Sequence, residues 1–288
     1  MMIETLASGY ALLEGPVWDP VRGLIVADAE QGGVRCFDAA GRVETLWPHR
    51  TGIGGIVRHV TGGIVVSGRN VAHRSRADAP SAVLLDSDPE RGVIGFNDIT
   101  TDARGRIYAG SLGYRPRLEP GRPRPGRLHL LDLDGTARVV AEGIGLSNGL
   151  GFSADGSQFF QADTQHNVVY VYDVGADGSL SNRRDFVRPG AGRPDGLALA
   201  RDGSLWLAAV WAGLVIVYHP DGRERRRLAF PVPMITSLCF GGPDLRDLYV
   251  VSGSDNSGRK DAGSIFHLRV EVPGVPVAPA RVALRQAP

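Results

Sequence analysis

Residues 148–180 read NGLGFSADGSQFFQADTQHNVVYVYDVGADGSL. A short apolar run, Asn148–Phe152, meets a turn at Asp155-Gly156. A second apolar run then ends on the polar Asp163. A third, VVYVYDV, leads through Asp177-Gly178 into a polar fourth segment. Asp-Gly between apolar runs predicts a hairpin, here a type I′ turn with positive φ at both central residues. Four short strands joined by such turns make one antiparallel unit.

The unit recurs along the chain. It is clearest from Gly15, Asn97 and Asp195, and weaker from Gly54 and Thr236. Asp134-Gly135, Asp202-Gly203 and Asp221-Gly222 mark equivalent turns. A four-stranded repeat every roughly 40–50 residues is the signature of a β-propeller blade, and six copies predict an all-β, six-bladed β-propeller. Nothing shows sustained helical periodicity, so helix is expected to be nearly absent. Ile3–Leu13 is expected to supply the outer strand that completes the last blade. No domain boundary is visible, so 1–288 is read as one propeller domain. Its tail, 272–288, is spaced by Pro273, Pro276, Pro279 and Pro288 and is expected to run extended over the surface.

Composition narrows the function. Of 288 residues, 32 are Lys or Arg and 31 Asp or Glu, a net charge of +1. That balance argues against nucleic acid or a membrane surface as partner. The longest apolar run, Leu205–Tyr218, falls short of the roughly 18 residues a membrane helix needs, and its Ala212-Gly213 reads as a turn. MMIETLASGY has neither a basic nor an apolar leader segment, so no signal peptide is expected. Cys36 and Cys239 lie in apolar stretches and are expected to be buried free thiols, which fits a reducing, cytoplasmic setting.

The first strand of a propeller blade lines the central channel, so the residue just before it faces the channel mouth. That position holds Glu14, Asn97, Asn148 and Asp195 in four blades, and Gly54 and residues near Thr236 in the other two. Two carboxylates and two amides form a hard, oxygen-only donor set suited to Ca²⁺, Mg²⁺ or Mn²⁺. One such residue would ordinarily be an Asx-turn. Four at equivalent positions point to a site.

These residues sit in EGPVW (14–18), FNDITTDARGRIYAGS (96–111), SNGLGFSADGSQFFQADT (147–164) and RPDGLALARDGSLWLA (193–208). Through them, and over essentially its whole length, the chain resembles the SMP-30/gluconolactonase, or regucalcin-like, family. The resemblance implies a metal-dependent lactonase with one catalytic divalent ion in the channel. Calcium ranks first, with Mg²⁺, Mn²⁺, Zn²⁺ and Fe²⁺ as alternatives. It also implies Glu14, Asn148 and Asp195 as metal ligands, Asn97 on metal or substrate, and Asp195 as general base. A small-molecule lactone is the implied partner. Two rival readings share the ring: an organophosphate-hydrolysing type of enzyme, and a non-catalytic calcium-binding propeller.

Two departures touch the substrate. Gly95 stands where sugar-lactone members commonly carry Arg, and Leu112-Gly113-Tyr114 follows Ser111 where an acid is often found. The insertion 114–127 carries Arg115, Arg117, Arg122, Arg124 and Arg127. It reads either as a solvated loop or as a lid that replaces the missing Arg, with Tyr114, Arg115 and Arg117 as substrate contacts. Asp163 reads as a channel or a turn residue. The G-x-S-x-G of Gly145–Gly149 precedes a strand in an all-β repeat and is rejected as a nucleophile elbow. The histidines, His73, His129 and His166 among them, show no metal-ligand spacing.

Overall fold

The structure, a computed structural model, describes residues 2–115, 119, 124–254 and 262–284. Its strands form six antiparallel four-stranded sheets, one per blade. β1 (Glu4–Tyr10) comes first. Blade one then holds β2 (Leu13–Asp19), β3 (Gly23–Asp28), β4 (Val34–Phe37) and β5 (Val43–Trp47). Blade two holds β6 (Ile56–Arg58), β7 (Ile64–Val66), β8 (Val71–Arg74) and β9 (Ala82–Leu85). Blade three holds β10 (Gly95–Thr101), β11 (Ile107–Leu112), β12 (Gly126–Leu131) and β13 (Ala137–Ile144). Blade four holds β14 (Ser147–Phe152), β15 (Gln158–Asp163), β16 (Val168–Val174) and β17 (Leu180–Val187). Blade five holds β18 (Arg193–Leu199), β19 (Leu205–Val210), β20 (Leu214–Tyr218) and β21 (Glu224–Ala229). Blade six holds β22 (Ile235–Gly241), β23 (Asp247–Ser252) and β24 (Gly263–Arg269), and β1 pairs with β24 to complete it. The six-bladed propeller is therefore as the repeats predicted, N-terminal outer strand included. Helix among the described residues is limited to a 3₁₀ turn at Pro89–Arg91, and no helix is long and apolar enough to cross a membrane.

The core lies between blades. Trp206, Val215 and Leu228 of blade five meet Leu238, Leu248 and Phe266 of blade six. Tyr108, Leu128 and Ile144 of blade three meet Leu150, Phe159 and Tyr172 of blade four. Alternation along each strand sends side chains to both faces of a sheet, and in a ring both faces are covered. Each such buried side chain contributes roughly 1.5–3 kcal/mol.

The Asp-Gly turns differ from the type I′ expectation. Gly135, Gly156, Gly178, Gly203 and Gly222 have φ of 72–83°, whereas the aspartates before them stay at negative φ. In each turn the glycine N–H donates three residues back, as Gly156 does to Ser153 O at 2.9 Å. The aspartate Oδ1 accepts the backbone N–H two residues on, from Thr136, Ser157, Ser179, Ser204 and Arg223. This is a type I turn followed by a left-handed glycine, with Asp favoured for its local hydrogen bond.

Two further expectations need correction. The tail is not simply laid on the surface. Gly274 bridges Ala200, Ala280 bridges His59, and Ala280 and Val282 are buried. The tail thus straps the far end of the channel, where Val275, Pro276 and Val277 line a cavity of about 420 Å³ together with inner-strand residues of the blades. Ala280 and Val282 gain burial in this way, whereas Val277 stays exposed. Of the two free thiols, Cys36 is buried but Cys239 is only half-buried, because its strand lines the channel.

Candidate active site

The starts of the inner strands touch in sequence around the axis, and glycines allow the close approach. A Cβ on Gly15 would lie 3.0 Å from Gly55 Cα, and one on Gly54 only 2.4 Å from Asn97 Oδ1. Asn97 Nδ2 donates to Asn148 Oδ1 and, at 2.8 Å, to Ser147 O. A Cβ on Gly149 would meet Asp195 O at 2.6 Å, and one on Gly196 would meet Ser237 Oγ at 2.2 Å. Thr236 Oγ1 closes the circle by donating to Leu13 O at 2.6 Å, next to Glu14. Glu14, Asn97, Asn148 and Asp195 therefore stand at four of the six stations of one ring, with blade two between Glu14 and Asn97.

A β-bulge marks each of these stations. Register shifts fall between Glu14 and Val17, Phe96 and Ile99, Ser147 and Leu150, and Pro194 and Leu197. A bulge leaves residues unpaired and re-aims their side chains, here at the axis. The sixth inner strand shows the same device between Ile235 and Ser237, but with Thr236. The second, Ile56–Arg58, is short and is preceded by Gly54-Gly55, whose N–H groups donate to Ser67 Oγ.

A relay fixes the amide orientations. Pro194 O can only accept, so Thr164 Oγ1 donates to it at 2.6 Å. Asn148 Nδ2 must then donate to Thr164 Oγ1, also at 2.6 Å, which turns Asn148 Oδ1 toward Asn97. Both N–H bonds of Asn97 are thereby used, and its Oδ1 remains as an acceptor.

Asp195 is buried, and Asp98, which lines the channel, lies close to it. Burial pushes the Asp98 carboxyl up to about 7. Burial, and then the Asp98 charge, raises Asp195 well above the ordinary carboxylate value. No cationic side chain among the described residues offsets either charge. Two desolvated carboxyls without a counter-ion, beside two amide oxygens, are chemically suited to an oxygen-liganded divalent cation. No three His, Cys, Asp or Glu among the described residues form a metal cluster; this donor set draws half its members from amides.

The model of the SMP-30/Gluconolactonase/LRE-like region matches residues 12–254. The chain belongs to this family. It is 33% identical to a pentonolactonase of Haloferax volcanii, over 91% of this chain and 92% of that protein. It is 34% identical to a 6-deoxy-6-sulfogluconolactonase of Pseudomonas putida, over 91% and 92%. Among solved structures, a calcium-binding regucalcin from Agrobacterium tumefaciens superposes with a TM-score of 0.84 at 22% identity, covering 97% of each chain, which speaks to the fold.

Other residues singled out in this SMP-30-family chain resolve differently. Asp163 is a turn residue: its carboxylate accepts from the backbone N–H of Gly145, Leu146 and His166 and pairs with His166 Nδ1. Asp28 does the same in blade one, for Ala11, Leu12, Glu30 and Gln31. Ser147 is buried and its hydroxyl accepts from Gln161. Tyr114 is buried and donates to Gln165 Oε1 at 3.3 Å; Arg115 is exposed and its N–H donates to Glu119 Oε2. Arg117 and Arg122 lie outside the described residues. Sequence reasoning missed Asp98 and Thr164. Asp98 carried a signal, since it directly follows Asn97 in the same motif; Thr164 carried none.

Proposed function

We propose that the chain is a metal-dependent lactonase, with Glu14, Asn97, Asn148 and Asp195 holding one divalent cation, calcium first among candidates. The observation that carries this reading is the ring itself: four oxygen donors on bulged inner strands, with Asp98 beside Asp195 and no described cationic side chain offsetting that pair. The lactonase names of two relatives at one-third identity support the same substrate class. A cation bound there supplies Lewis-acid polarisation of the lactone carbonyl and stabilises the developing oxyanion.

The chain's own groups do the rest. Asp195 accepts the proton of the attacking water, and its buried setting keeps the carboxylate a stronger base than it is in water. Asn97 Oδ1, held by the amide relay, orients the water or the lactone. Glu14 and Asn148 fix the geometry. Tyr114 and Arg115, which follow the second strand of blade three, are proposed substrate contacts, and Arg117 is proposed with them from the sequence alone. The test is a metal-stripped sample assayed on a panel of lactones, with each divalent ion restored in turn. Ring opening that returns with one ion supports the reading. Binding of calcium without hydrolysis of any lactone or organophosphate would leave the non-catalytic propeller in its place.

A further inference from the structure

We propose that Arg69, backed by Arg50, forms a cationic subsite at the channel mouth that takes an oxyanion on the substrate. For the substrate's identity this rests on the lactonase reading; the subsite itself does not.

Arg69 lies in the loop between β7 and β8. The preceding residue, Gly68, exchanges two backbone hydrogen bonds with Phe96, of 2.7 and 3.0 Å, so the loop is zipped to the strand that carries Asn97. The absence of a side chain at position 95 matters here. A Cβ on Gly95 would lie 3.0 Å from Gly68 O and 3.8 Å from Arg69 Cα. The space a position-95 side chain would enter therefore adjoins the root of Arg69, which is exposed.

No described carboxylate compensates the charge around it. Arg50 Nη2 donates only to neutral acceptors: Ser67 O, Asn70 O and Asn70 Oδ1. Its Nε is buried without a partner. Its guanidinium lies 4.8 Å from the Trp47 ring centroid, and Arg74 lies 4.5 Å from the same ring. Arg50, Arg69 and Arg74 make no ion pair with a described carboxylate. Burial and the Arg69 and Arg74 charges lower Arg50 to about 10, a sign that the cluster repels itself. An anion beside it relieves that repulsion. In the blade-three insertion, two of the described arginines are already paired, Arg124 with Glu119 and Arg127 with Glu142. A guanidinium fork matches the oxygens of carboxylate, sulfonate or phosphate, and a charge-assisted bond of this kind is among the stronger polar contacts.

The experiment compares glucono-1,5-lactone with its 6-phosphate in the parent, Arg69→Ala and, as a control remote from the mouth, Arg42→Ala. Arg69→Ala is expected to lose about tenfold or more in kcat/KM on the phosphate, chiefly through KM, and less than about twofold on the neutral lactone. Arg42→Ala should match the parent on both. Equal effects of Arg69→Ala on the two lactones, or none, overturn the subsite. Calorimetry with 6-phosphogluconate and gluconate decides the same point without turnover. The parent should bind the phosphate more tightly, and Arg69→Ala should erase that preference. A parent that binds the two acids equally overturns the proposal. Hydrolysis of neither lactone overturns the lactonase reading alone and leaves the subsite to calorimetry.

Discussion

Asn97 and Asn148, on neighbouring blades, join their side-chain amides, and the direction of that bond is dictated by Thr164 and the Pro194 carbonyl beyond it. A chain of three hydrogen bonds thus reaches from blade five back to blade three. It decides which atom of each amide faces its neighbour.

Thr164→Val keeps the shape of the side chain and removes the hydroxyl. The Pro194 carbonyl and the Asn148 amide each lose a buried partner, at a cost of roughly 1–3 kcal/mol. Divalent-ion affinity and activity should both drop, while circular dichroism stays that of the parent. A variant with parental affinity would show that the relay does not position Asn148.

Asp195→Ala should abolish hydrolysis and weaken ion binding without unfolding the propeller, because the residue lies at a strand start on the axis and outside the interblade core. Calorimetry showing unchanged affinity for every divalent ion would remove Asp195 from the site.

Gly54→Ala places a methyl 2.4 Å from Asn97 Oδ1 and 3.0 Å from its carbonyl carbon. Overpacking of this kind costs roughly 1–3 kcal/mol, and Asn97 must move. A lower melting temperature together with reduced activity is expected. Full activity would show that Asn97 tolerates displacement.

Arg106 and Asp102 form a buried pair at 2.6 Å, with side chains only 6% and 8% exposed. Arg106→Ala strands the carboxylate, and removing one partner of such a pair costs about 3–5 kcal/mol. Chemical denaturation should register a loss of that order. A loss below about 1 kcal/mol would place the pair with weak surface bridges.

His129 is buried against Phe96, and burial, aided by Arg127, lowers it from 6.5 to about 4. The folded protein holds it neutral, whereas the unfolded chain protonates it below pH 6.5. Stability should therefore be full above 6.5 and fall as pH drops toward 4, by on the order of 3 kcal/mol from this group. Thermal melts of His129→Leu should show a shallower acid slope than the parent. An unchanged slope would shift the acid sensitivity to other groups.

Much of this was legible in the sequence because a propeller repeats its chemistry. The Asp-Gly turns returned often enough to count blades, and the residue before each inner strand could be compared across copies. The ring of Glu14, Asn97, Asn148 and Asp195 followed from that alignment. What escaped was contact between copies. Thr164 acts on Pro194 of the next blade, and Gly95 matters through Arg69 of the previous one; neither relation leaves a periodic trace. The turn type was misread because hydrogen bonding by Asp, not positive φ, explains its preference. The tail was misread because prolines announce an extended backbone but not the surface it packs on.

Strand β1 has a consequence for how the molecule comes into being. Glu4 pairs opposite His267, so β1 finds its partner strand only after all the blades that lie between them in the sequence have been made. Closing so large a loop costs entropy before any contact rewards it, which makes high-contact-order β topologies slow to mature. Until that seam is sewn, blade six lacks its outer edge, and an unpaired edge strand invites pairing with other chains. Newly synthesised molecules should pass through an open-ring stage that is both inactive and sticky, and deletion of the first ten residues should trap them there.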